Sequence, residues 1–273
     1  MFSGFSEQVD IGREFPAEPI DDGGPLYASL RGPNLWPKSI PDFKTTILDL
    51  MQAMTDVGII ILSAMAKNLK VVDEKAFMEM FNSDYSARMK LTRYPGMKNT
   101  TDRPLEHGLG VGPHKDYGFL AVLLQDPIGG LQVQTHDGQW IDATPIPDTF
   151  VVNIGETFER LTRKIFIATT HRVLNNPEDR DRFSIPVFLA ASLDTRVPQV
   201  IASAVELDNK KIVSDVQENQ LLQEEVYGVN ELNGYMRSHP RVRDRWYNYD
   251  EKTKLWSRRV EPLLPSAQNS CSS

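Results

Sequence analysis

The chain is 273 residues long, 40% hydrophobic, and carries a formal net charge of −7. That length suits one domain and that apolar fraction a real core, while the acidic balance excludes broad affinity for nucleic acid or an anionic membrane surface. A single cysteine, Cys271, excludes an intrachain disulfide and a cysteine metal cluster.

Residues 1–38 are rich in Pro and Gly without lasting periodicity and read as an irregular arm. No basic-then-apolar leader pattern opens the chain, so a cytoplasmic location is expected. From Pro41 the pattern changes. Phe43, Ile47, Leu50, Met51, Met54, Ile61, Leu62, Met65 and Leu69 recur at helical spacing, which predicts a long amphipathic helix started by Pro41 or Asp42. Its longest apolar stretch, Val57 to Ala66, is too short to cross a bilayer. Asp73 is the expected N-cap of a shorter helix carrying Phe77, Met80 and Phe81. Residues 39–87 thus form a helical buttress.

From Arg88 to Val197 the signal is β. Strands are expected at 88–94, 119–124, 131–135, 139–142, 150–154, 165–171 and 182–190, several of them separated by turns such as Asp126-Pro-Ile-Gly-Gly and His136-Asp-Gly. Many short strands at this spacing indicate a sandwich or barrel. Gly108-Leu-Gly-Val-Gly112 lacks the strand and helix that frame a dinucleotide loop, and is read as letting the chain approach the strand that carries the candidate metal ligands. Helical character returns at 213–226 and 229–247, inside a C-terminal helical region 198–261, with a tail at 262–273. Arg241, Arg243 and Arg245 read as a solvated helix face. The whole is one domain, 1–273, mainly β with flanking helices, around a double-stranded β-helix (jelly roll) core at 88–197.

His114 and Asp116 stand at i and i+2, which on a strand puts both side chains on one face, at the mouth of the apolar run Phe119 to Leu124. His171 ends the run Ile165-Phe-Ile-Ala-Thr-Thr-His, whose alternation shares a face among Ile165, Ile167, Thr169 and His171. Two histidines and one carboxylate can grip iron(II) from one side and leave the other open. Arg182 and Ser184 again share a face, and guanidinium plus hydroxyl suits a carboxylate. The competing reading pairs Arg182 with Asp179 or Asp181. Tyr94, before Pro95, either donates into the pocket or is a core aromatic with its hydroxyl at the rim. His107, His136 and His239 read as exposed loop histidines. Phe119, Leu131, Val133, Phe158 and Phe188 are candidates for the pocket wall.

At these residues the chain resembles the isopenicillin N synthase-like branch of the iron(II)/2-oxoglutarate-dependent dioxygenases, over roughly residues 30 to 250. The matching text is Arg93-Tyr-Pro, Gly110-Val-Gly-Pro-His-Lys-Asp-Tyr-Gly-Phe-Leu, Gln125-Asp, Gly129-Gly-Leu-Gln-Val, Trp140-Ile-Asp, Val152-Asn-Ile-Gly, Thr170-His-Arg-Val and Arg182-Phe-Ser-Ile-Pro. The resemblance implies iron on His114, Asp116 and His171, and 2-oxoglutarate held by Arg182 and Ser184 with Tyr94 facing cosubstrate or substrate. It implies O2-dependent oxidation of a small organic molecule by hydroxylation, desaturation or cyclisation, coupled to decarboxylation of 2-oxoglutarate to succinate. Asp116 keeps a carboxylate where a halogenase needs room for chloride. Two alternatives stand beside this: an oxidase in which Arg182 and Ser184 grip the substrate's own carboxylate, and a non-catalytic jelly-roll binding protein. The strand–helix–strand segment with which such proteins usually begin is not found, so the chain is read as either naturally short or a truncated form, with part of the wall around the substrate missing. Glu156 stands where Asp is common. The run Gly129 to Ile146 is somewhat similar to pyrimidine-hydroxylating members, and a secondary-metabolite or amino-acid-derived substrate is equally compatible. The sequence leaves the oligomeric state open.

Overall fold

A computed structural model of the chain describes residues 6–17, 24–69, 73–81, 84–96, 109–176, 179–197, 224–253, 255–259 and 261. In chain order it runs β1 (Glu7–Gly12), a 3-10 turn (Leu26–Leu30), α1 (Phe43–Asn68), α2 (Glu74–Glu79), β2 (Tyr85–Tyr94), β3 (Leu109–His114) and β4 (Leu120–Gln125). There follow β5 (Leu131–Gln134), β6 (Trp140–Asp142), β7 (Val151–Ile154), α3 (Glu156–Leu161), β8 (His171–Leu174) and β9 (Arg182–Ser192). The C-terminal part holds α4 (Tyr227–Ser238), α5 (Pro240–Trp246) and the hairpin of β10 (Tyr247–Asp250) with β11 (Leu255–Arg258).

Two antiparallel sheets face each other. The larger has the order β1-β2-β9-β4-β7 and the smaller β3-β8-β5-β6, the double-stranded β-helix expected from the strand pattern. The period-2 alternation of strands assigns the faces. Met89, Leu120, Val122, Val187 and Leu189 are almost wholly buried on the outer face of the larger sheet, in one cluster with Ile47, Met51, Met54 and Leu62 of α1. The opposite residues of the same strands look toward the smaller sheet. There Tyr94, Leu131 and Val173 form a second cluster with Val111, Leu123 and Val151.

α1 keeps the predicted 3.6-residue period, and Asp73 caps α2 by accepting the Ala76 N–H at 2.9 Å. By length and composition α1 is also long and apolar enough to cross a membrane, unlike the shorter stretch read from the sequence. Its face carrying Met51, Met54 and Leu62 is buried against the sheet.

Several expectations are corrected. Part of the supposed irregular arm is β1, paired from Glu7↔Arg93 to Gly12↔Arg88 along the free edge of β2. A six-residue segment carries little periodic signal, and its strand character comes from a partner far away in sequence. The stretch 165–170 is not a strand. After α3 the chain turns through Arg163 and Lys164, both at positive φ, leaves Ile165 and Ile167 exposed, and joins a ladder only at His171. The segment 108–112, read as an approach to the metal strand, is from Leu109 part of strand β3, paired with β8 through two register irregularities. The helix expected over 229–247 breaks at His239, because Pro240 cannot continue it, and ends in the β10–β11 hairpin. Helix 213–226 lies largely, and the tail 262–273 wholly, outside the described residues, as does His107.

Candidate metal centre

His114 is the last residue of β3, Asp116 lies in the loop that follows, and His171 is the first residue of β8. The expected geometry, in which His-x-Asp opens one strand and His closes another, is therefore inverted at both ends. Convergence comes from the ladder itself, since His114 and His171 are cross-strand partners. Cross-strand neighbours bring side chains together irrespective of distance in sequence. Their rings stand 4.2 Å apart between centroids. Asp116 Oδ1 is 3.8 Å from His114 Nε2 and 3.6 Å from His171 Nε2, and the three donor atoms lie within 4.8 Å of one another.

Each donor is oriented by a second contact. His114 Nδ1 is 2.9 Å from the Gly112 carbonyl and His171 Nδ1 is 3.0 Å from the Thr169 carbonyl. A carbonyl only accepts, so Nδ1 carries a proton on both rings, and Nε2 is the nitrogen that faces Asp116. Asn153 on β7 donates to Asp116 Oδ2 at 2.7 Å, which leaves Oδ1 for a metal. The Glu156 N–H donates to the Asp116 carbonyl at 2.8 Å and pins the loop to the start of α3. Desolvation by the surrounding chain, with the neighbouring His171, lowers the His114 pKa below its ordinary 6.5, although 41% of its side chain is exposed. The imidazole is thus neutral near neutral pH, the form that ligates. Two imidazole nitrogens and one carboxylate oxygen on one side of a cavity fit a divalent first-row metal with open positions.

That cavity, about 170 Å³, lies between the sheets and is lined by the triad together with Tyr94, Lys90, Val111, Val133, Phe188, Arg182 and Ser184, among others. Arg182 is 1% exposed. Its Nη2 donates to Gln125 Oε1 at 3.3 Å, its guanidinium lies 4.8 Å from the Tyr94 ring centroid, and its Nε and Nη1 are buried without a hydrogen-bond partner. Asp181, one of the two alternative partners, is held instead by Arg93 Nε at 2.7 Å and the Gly96 N–H at 3.1 Å. A buried guanidinium with two orphaned nitrogens is the donor half of a carboxylate site, and the Ser184 side chain shares its face two residues on.

Tyr94 is buried and lines this cavity, and Gly110 makes room for it: a Cβ at residue 110 would come within 2.8 Å of the Tyr94 ring. Of the expected pocket wall, Leu131, Val133 and Phe188 line the cavity. Phe119 and Phe158 do not. They sit in the core on the other side of the sheet, Phe119 edge-on to Phe81 at 5.0 Å and Phe158 5.9 Å from Phe77. Phe119 precedes β4 and Phe158 belongs to α3, an element the sequence reading did not contain. His136 is exposed as expected, but His239 packs on Tyr235 at 4.2 Å and reaches Asp10 at 3.4 Å. Asn153 and Gln125 were given no role from sequence. Their signal was position alone, inside the Val152-Asn-Ile-Gly and Gln125-Asp matches.

Residues 83–191 match the family model described as 2OG-Fe(II) oxygenase superfamily. The chain is 34% identical over 256 residues to the 2-oxoglutarate-dependent dioxygenase frbJ of Dothideomycetidae sp. (strain 11243), covering 90% of this chain and 68% of that protein. It is 33% identical over 195 residues to the 2-oxoglutarate-Fe(II) type oxidoreductase hxnY of Emericella nidulans, covering 69% of this chain and 53% of the relative. Among solved structures it is similar to a full-length Neurospora crassa protein crystallised in complex with alpha-KG, with a TM-score of 0.58 and 29% identity, over 71% of this chain and 57% of that one. The chain thus spans about half to two thirds of the length of these relatives.

Proposed function

The chain belongs to the 2OG-Fe(II) oxygenase superfamily, and from that premise we propose that it is an iron(II)- and 2-oxoglutarate-dependent oxygenase acting on a C–H bond of a small, partly apolar molecule by hydroxylation, desaturation or oxidative cyclisation. The observation that carries this reading is the buried Arg182, which has two unpartnered nitrogens and lines the same cavity as the triad. His114, Asp116 and His171 would hold the iron, and Arg182 with Ser184 would hold the far carboxylate of 2-oxoglutarate, beside Tyr94. When bound, iron(II) and 2-oxoglutarate supply an O2-derived oxidant and release succinate and carbon dioxide.

The chain's own residues do the rest. Asn153 occupies one oxygen of Asp116 and would leave the other for the iron, and the two Nδ1–H groups fix the imidazole tautomers. Val111, Leu131, Val133 and Phe188 exclude water from the volume where a substrate carbon must sit. We place the activity in the cytoplasm, on a secondary-metabolite or amino-acid-derived substrate; a single cysteine means that folding requires no oxidising compartment.

The test is 2-oxoglutarate turnover, read as succinate, with and without added iron(II). Turnover is expected only with both, and His114→Ala abolishes it. Arg182→Met weakens 2-oxoglutarate binding by about 2 kcal/mol, on the order of 30-fold, because a charged hydrogen-bonded pair is lost. Product at full rate without 2-oxoglutarate would make the protein an oxidase in which Arg182 grips the substrate. Failure to bind iron(II) would make it a jelly-roll binding protein.

A further inference from the structure

We propose that the molecule oxidised is itself a carboxylic acid, and that Lys90 and Arg88 hold its carboxylate; this deepens the oxygenase reading and rests on it. β2 presents Tyr94, Thr92, Lys90 and Arg88 in turn on the face that looks between the sheets. Tyr94 stands at one end of this row, beside Arg182 and the cosubstrate end of the cavity. Lys90 lines the same cavity as the triad, on the side away from Arg182. Arg88 lines a second cavity, of about 290 Å³, further along the strand. Its guanidinium lies 5.7 Å from the ring centroid of Phe188, which lines the first cavity. One strand face therefore carries Lys90 at the cavity of the metal centre and Arg88 at the second cavity, which Asp10 and Glu231 also line.

Arg88 lacks an acceptor at one buried nitrogen, and Lys90 has a single long ion pair. Among the described residues Arg88 has no acid within ion-pair distance, and its buried Nε has no hydrogen-bond partner. Lys90 Nζ makes an ion pair with Asp10 across the β1–β2 ladder at 3.8 Å, beyond hydrogen-bond length. Asp10 Oδ1 is itself buried without a hydrogen-bond partner, while Oδ2 reaches His239 at 3.4 Å. Buried donors normally find acceptors, because an unmade charged hydrogen bond is expensive. A carboxylate on the substrate would accept from both cations at once. Arg182 cannot serve it, since the cosubstrate occupies that group. The apolar wall of Val111, Val133 and Phe188 would then take the acid's hydrocarbon body and hold it toward the triad.

The experiment uses full-length protein loaded with Mn(II) and 2-oxoglutarate. Binding is measured by calorimetry for carboxylic acids paired with their primary amides: phenylacetate and phenylacetamide, cinnamate and cinnamamide, indole-3-acetate and indole-3-acetamide. At least one acid is expected to bind ten-fold or more tightly than its amide. The preference is expected to collapse in the double variant Lys90→Met/Arg88→Met and to survive in Lys90→Arg, with the affinity for 2-oxoglutarate read in parallel as a control on the fold of the site. Equal binding of acids and amides, no binding by any pair, or a preference that persists in the double variant would overturn the inference. Loss of Mn(II) or 2-oxoglutarate binding in the unmodified protein would instead remove the oxygenase reading, and this inference with it.

Discussion

Asp116 can offer a metal one oxygen because Asn153 takes the other, at 2.7 Å. Groups behind metal ligands typically set affinity by about 10- to 100-fold. Asn153→Leu is therefore expected to weaken iron(II) or Mn(II) binding by on the order of 10- to 100-fold, while circular dichroism and the melting temperature of the metal-free protein change little. Unchanged metal affinity would mean that Asp116 is positioned by the backbone alone. His114 gives a second expectation at this scale. Its folded pKa lies below 6.5, so between those two values the unfolded chain binds a proton that the native site does not. The contribution of His114 to stability is complete above 6.5 and is lost as the pH falls toward the depressed folded value. The melting temperature of the metal-free protein should fall on acidification through that window, and His114→Gln should flatten the dependence. A slope that the variant leaves unchanged would assign it to other groups.

At the scale of elements, the site depends on a crowded junction where β7 passes into α3 alongside the loop between Asp116 and β4. The Gly155 N–H donates to the Phe119 carbonyl at 3.0 Å, and a Cβ at residue 155 would collide with the Gly118 carbonyl oxygen. Backbone cannot yield as a side chain can. Gly155→Ala is expected to cost about 3 kcal/mol or more, read by urea denaturation, and to lower metal affinity by displacing Asp116. A variant with unaltered stability would show that the junction opens freely. The neighbouring segment is held by a buried ion pair. Glu159 meets Lys115 at 3.2 Å and accepts the Ala168 N–H at 2.7 Å, tying the non-strand stretch before His171 to the residue between the other two ligands. This explains how 165–170 reaches the site without a ladder of its own.

At the scale of the whole molecule, a metal on the triad would join strands that are distant in sequence, so its binding should appear as global stability. Mn(II) at about 100 times its dissociation constant is expected to stabilise the fold by about 2.7 kcal/mol, seen as a raised melting temperature. That rise should vanish in His114→Ala; a rise that persists would place the metal elsewhere. The long period of α1, the Asp73 cap and the alternating strands were legible in sequence because each depends on neighbours three, four or two positions away. So was the choice of His114, Asp116, His171, Arg182 and Ser184 as candidates, which line one cavity, since ligation and carboxylate recognition depend on side-chain identity and short spacing. The tertiary structure decided which strand ends carry the ligands, that β1 completes the sheet edge, that Phe119 and Phe158 belong to the core, and that Lys90 and Arg88 share a face with the metal centre. Each of these depends on cross-strand pairing and on which face a neighbouring sheet or helix covers. Such contacts join residues tens of positions apart and leave no period in the chain.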